Sequence, residues 1–176
     1  HCTKTRVCTW RYCTEVSSLM NIFYLNKFPM RAAQEHCDKH VVKMILEQAQ
    51  LLSTAHHELG SEMAPHVYKS THKNHPSAVW VRSGYSQYTW GYSLLCELLK
   101  EYTHRYHKTH ATARLLKFLT AVPDKIPTGV KWSDPPQCMY DECRTDDTVE
   151  AYRNYYKVRR NEIDMRWTNR EIPAWL

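Results

Sequence analysis

Apolar positions along most of the chain recur at helical spacing. The longest run lies over 29–58, where Cys37, Val41, Val42, Met44, Ile45, Leu46, Ala49, Leu51, Leu52 and Ala55 cover most of a helical circumference. Pro29 suits a first helical turn and Gly60 a stop, so one helix is expected over 29–58. A polar loop follows over 60–75. Asn74 and Pro76 open a second long helix to about His107, with Val79, Leu94, Leu95, Leu98 and Tyr102 at helical spacing. Thr109 is a cap for a short third helix over 110–121. Pro123, Pro127, Pro135 and Pro136 then make 122–145 an irregular connector. Asp147 with Glu150 three residues on resembles a capping box and starts a fourth helix, ending near Asp164. MNIFYL, residues 20–25, reads as a short strand or extended segment. The expectation is an all-α protein of about four helices with a short N-terminal extended segment. A length of 176 residues suits one domain, assigned to 20–176.

Residues 1–19 carry no apolar core of signal-peptide length and no regular period. They are read as a non-native or disordered leader, with Met20 as the natural start. They hold three cations and one anion, so the formal charge of +6 becomes +4 without them.

One polar stripe interrupts the apolar surface of the first long helix. At about 100° per residue, His36, His40, Lys43, Glu47, Gln50, Thr54 and His57 share a narrow face. Solvated seams are usually built from Lys, Glu and Arg. This one holds three His, a Gln and a Thr, which suits the lining of a cleft as well as a seam. Glu47 is the acid–base candidate, with His36 and His40 beside it as catalytic candidates and Lys43 one turn away. His36 and His40 also have the i, i+4 spacing of paired metal ligands, although Cys37 stands where an HExxH motif needs Glu.

A moderate positive charge permits a polyanionic partner. The segment 71–90 interleaves cations with rings, as phosphate and base contacts require, and His75 and Arg82 are its binding candidates. Arg105 and Lys108 extend the basic set. Six acids between Asp134 and Glu150 stand apart from these runs, which favours a molecule basic on one side. Seven Cys without a CxxC pair point to a reducing, cytoplasmic setting rather than a disulfide scaffold. No apolar run reaches the ~18 residues of a membrane helix. No cofactor is expected.

MNIFYL, AAQEHCDKHVVKMILEQAQLLSTAHH, NHPSAVWVR, AYRNYYKVRR and WTNREIPAW together resemble a set of small bacteriophage proteins, marine ones especially. The resemblance covers nearly everything from Met20 onward, and implies the host cytoplasm as location. A more distant similarity is to the pyrimidine-dimer DNA glycosylase/AP lyase family of endonuclease V type. It rests on His36, on Asn74, His75, Pro76 and Arg82, and on Glu101 and Arg105 near the end of a long helix. That similarity implies a small, all-helical, metal-free protein acting on DNA, in which a free N-terminal amine attacks the sugar. The chain departs from the pattern in two ways. Asn21 would supply the amine only after loss of Met20, and alignment on His36 puts Lys43 at the catalytic carboxylate, with Glu47 one turn later as the stand-in.

The leading expectation is therefore a DNA-acting protein of phage type that excises a base. The alternatives are a non-catalytic binder of nucleic acid or another partner, and a metal-dependent enzyme using the helix-one histidines.

Overall fold

The computed structural model describes residues 20–176, so the leader lies outside the described residues. Six α-helices are present there: α1 (Pro29–Glu35), α2 (Asp38–Glu58), α3 (Pro76–Val81), α4 (Tyr85–Tyr106), α5 (Leu116–Leu119) and α6 (Thr148–Arg159). Short 3-10 turns lie at Ala64–His66, Ala111–Leu115 and Asp141–Cys143. The fold is all-α, with no strand among the described residues. None of these helices is long and apolar enough to cross a membrane.

The long helices α2 and α4 pack against each other, and α1 lies against α4. Leu51, Leu52 and Ile45 of α2 and Leu94, Leu95 and Leu98 of α4 are buried in one continuous core. The helices cross closely at Gly91. A Cβ there would stand 2.8 Å from the Gln48 amide nitrogen, which donates to the Gly91 carbonyl at 3.1 Å. The extended segment threads this core as a strap. Ile22, Phe23, Tyr24 and Leu25 are all buried, and α6 holds the strap through the Arg153 Nε–H, which donates to the Leu25 carbonyl at 3.0 Å.

Two expected helices are each divided. The helix over 29–58 breaks at His36 and Cys37, both in extended conformation. Neither residue is a breaker. The break stands because distant groups satisfy its backbone: Cys37 N–H donates to the Tyr156 hydroxyl and Asp38 N–H to the Arg166 carbonyl. The second helix is interrupted between Arg82 and Gly84. The third forms as a 3-10 turn followed by α5, capped by His110, whose ring accepts from Thr112 N–H, rather than by Thr109. Other boundaries match the local chemistry. Gly60 adopts the left-handed φ of +62° just beyond α2. Asp147 caps α6 by accepting from Glu150 N–H at 3.1 Å, although that helix ends at Arg159, short of Asp164.

A buried ionic cluster fastens the end of α4 to the α1–α2 junction. The Arg105 guanidinium is fully enclosed and pairs with Glu101 and Asp38, each at 2.9 Å. It also donates to the Gln34 carbonyl at 3.0 Å. Arg170 grips Glu101 through two bonds of 2.8 and 3.0 Å. Burial pushes the Asp38 and Glu101 carboxyls up, but hydrogen bonds and cations more than offset it and hold both below their ordinary values.

Candidate functional site

The α1–α2 break changes the phase of the polar stripe. His36 caps α1 instead of joining the face of α2, and its ring is fully buried with Nδ1–H donating to the Ala32 carbonyl. His40 is also buried. It stacks on Phe23 at 4.2 Å and shares a 2.6 Å hydrogen bond with the Tyr156 hydroxyl. Burial lowers His36 to about 4 and His40 to about 3, so both rings are neutral near pH 7. His40 and Glu47 stand seven residues apart on α2, about 10 Å along the axis. The expected grouping of His36 and His40 around Glu47 therefore does not form. No group of three or more His, Cys, Asp and Glu residues able to hold a metal ion occurs among the described residues.

The middle of α2 behaves differently. Val42, Lys43, Leu46, Glu47 and Gln50 form one wall of a cleft of about 500 Å³. Tyr68, His110, Ala111 and Thr112 form the other. Glu47 is 7% exposed. Its Oε1 pairs with Lys43 at 3.4 Å, and its Oε2 accepts from the backbone N–H of Asn21 at 3.3 Å. Burial raises the Glu47 carboxyl above its ordinary value, while Lys43, the Asn21 N–H and His72 pull the other way. A buried carboxylate of raised pKa, held by a cation and a backbone N–H, suits proton transfer.

Asn21 is fixed in place by its side chain. Its amide donates to the Cys138 carbonyl at 2.9 Å and its Oδ1 accepts from the Tyr152 hydroxyl at 2.9 Å. The strap, the connector and α6 thus converge to hold one backbone nitrogen against the carboxylate of α2. The contact spans 26 residues, so no local pattern signals it.

The remaining candidates separate. His75 is half-buried and caps α3, its Nδ1 accepting from Ser77 N–H at 3.1 Å. Burial, then His72, lowers its pKa. Arg82 ends α3 and keeps one buried guanidinium nitrogen without a hydrogen-bond partner among the described residues. Arg105 is enclosed in the ionic cluster, so it is a structural cation and not an open phosphate contact. Lys108 is exposed, two residues before the cleft residue His110. Arg114 was not among the candidates, yet it lies over the Tyr68 ring at 5.6 Å and brings a further cation to the cleft. Tyr68 and His110 were also outside the candidate set. Neither shows periodicity, and only the fold brings them opposite α2.

No protein-family model matches the chain, and neither a curated protein nor a solved structure matches it.

Proposed function

We propose that the chain acts on DNA at the Glu47 cleft, as a base-excising enzyme of glycosylase/lyase type. The contact between Asn21 N and Glu47 Oε2 carries this reading. In a chain processed to begin at Asn21, that nitrogen would be a free α-amine beside a carboxylate of raised pKa. Glu47 would take a proton from the ammonium group. The amine would then attack C1′ of a deoxyribose, the bond from C1′ to the base would break, and the base would leave with the proton. Lys43, Lys108 and Arg114 supply cations near the cleft for phosphate, and a base must leave the stack to reach Glu47. The resemblance to the pyrimidine-dimer glycosylases supports the same chemistry. It does so with Glu47 in the carboxylate role and with Arg105 spent on the fold.

Borohydride trapping tests the reading. Duplexes carrying a pyrimidine dimer or an abasic site are offered to a chain beginning at Asn21, to the full chain, and to the Asn21-start chain with Glu47→Gln. A covalent protein–DNA product is expected from the first alone. DNA binding without any trapped product would instead favour the non-catalytic binder. Affinity itself should fall steeply with salt, as counterion release demands. No binding at low salt would remove both nucleic-acid readings.

A further inference from the structure

We infer that the cleft beside Glu47 is a pocket for a single nucleobase, in which Gln50 reads the edge of the base and Tyr68 faces its ring. The inference rests on the DNA-acting reading for its source of bases, but not for its geometry.

The two walls differ in a way that fits a flat, polar-edged ligand. On α2, Val42 and Leu46 lie one turn apart and stay 42% and 43% exposed, although they sit in a helix that buries most of its apolar residues. They give the cleft an apolar face. Across from them Tyr68 is pinned: its hydroxyl bonds the Thr112 hydroxyl at 2.8 Å, and Arg114 lies over one face of its ring. A ring held in this way meets a base at little entropic cost. The wall is fixed further at His110, whose Nδ1 accepts from Thr112 N–H at 3.1 Å.

Gln50 is the polar group that the protein leaves unspent. It is half-buried in the cleft, one turn from Glu47, and its carboxamide makes no hydrogen bond among the described residues. Its neighbour Gln48, by contrast, is committed to Gly91. A free carboxamide offers a donor beside an acceptor, which matches the paired donor and acceptor on a base edge. Lys43 at the same wall is 49% exposed and placed to meet the phosphate of the nucleotide.

The same base chemistry can arrive within DNA or as a free nucleoside, and the experiment separates the two. The full chain is titrated with duplexes in which one A, C, G or T stands unpaired opposite an abasic site. It is also titrated with the four free nucleosides, followed by NMR shifts. Gln50→Ala and Gln50→Glu are compared. The wild-type chain should rank the four unpaired bases. Gln50→Ala should reduce the best-to-worst ratio by roughly 5- to 150-fold while binding to fully paired duplex stays within about twofold. Gln50→Glu, which has lost the donor, should reorder the ranking. DNA binding with a ranking that neither variant alters overturns the pocket and leaves the DNA-acting reading intact. Absence of DNA binding with Gln50-dependent nucleoside binding overturns the DNA-acting reading and supports the pocket. Absence of both overturns both.

Discussion

The N-terminal end and the middle of the polar stripe face opposite fates. At its N-terminal end, polar groups are consumed by the fold. The rings of His36 and His40 are enclosed around Phe23 and Tyr156, and Asp38 is closed by Arg105 and Thr168. In the middle, Glu47 keeps a carboxyl raised by burial, Gln50 keeps its hydrogen-bonding capacity, and Lys43 keeps its exposure. Stripe residues that look alike on a helical wheel therefore divide into structural and available groups. Enclosure decides which is which: packed rings and the ionic cluster shut the first set away from solvent, whereas Glu47, Gln50 and Lys43 line a cleft.

The largest effect should come from opening the ionic cluster. Arg105→Ala leaves Asp38 and Glu101 without their enclosed cation, and should cost about 3–5 kcal/mol in denaturant unfolding. Lys43→Ala, in the available region, should change stability by under about 1 kcal/mol. Equal effects from the two would erase the distinction.

Acid should weaken the consumed end next. His36 is lowered to about 4 and His40 to about 3, mainly by burial. The unfolded chain takes up these protons near pH 6.5, whereas the folded one resists. Stability is thus fully present above about 6.5 and falls as pH drops toward 4, by up to about 1.4 kcal/mol per pH unit for each ring. The depressed carboxyls of Asp38 and Glu101 add to the loss at lower pH. Urea unfolding at several pH values measures the slope, and a flat profile between 6.5 and 4 contradicts the neutral, buried assignment.

Glu47→Gln should act in the opposite direction on stability. The wild-type carboxylate is held against its desolvation cost, so a neutral isostere should stabilise the fold by about 0.5–1 kcal/mol while abolishing trapping. Loss of stability together with loss of trapping would mark Glu47 as structural. A further effect concerns His75. His75→Ala removes the α3 cap and should cost about 0.5–2 kcal/mol. His75→Asn, which caps equally well, should restore most of it. If Asn restores stability but not DNA affinity, the ring also serves the partner.

Much of the fold is legible residue by residue. The apolar face of α2, the Gly60 stop and the Asp147–Glu150 cap follow from local rules, because each depends on groups within a turn or two. The break at His36 and Cys37 is not legible. Both residues take ordinary extended geometry, and what holds them there is a hydroxyl 119 residues away and a carbonyl near the C-terminus. The missed break misplaced two of the three catalytic candidates. Glu47 was legible as a carboxylate on a polar stripe of an otherwise apolar helix; the environment that raises its pKa was not.

The sequence by itself determined the helical class, the segments that become helices, and the presence of Glu47, Lys43 and Gln50 on one face of α2. Periodicity and capping are short-range physics, and 3.6 residues per turn fixes which side chains share a face. Only the tertiary structure decided that Asn21 meets Glu47, that Tyr68 and His110 close a cleft opposite it, and that Arg105 is enclosed. Burial, hydrogen-bond supply and local dielectric are properties of what packs around a residue, and here those neighbours come from the strap, the loops and the C-terminal segment.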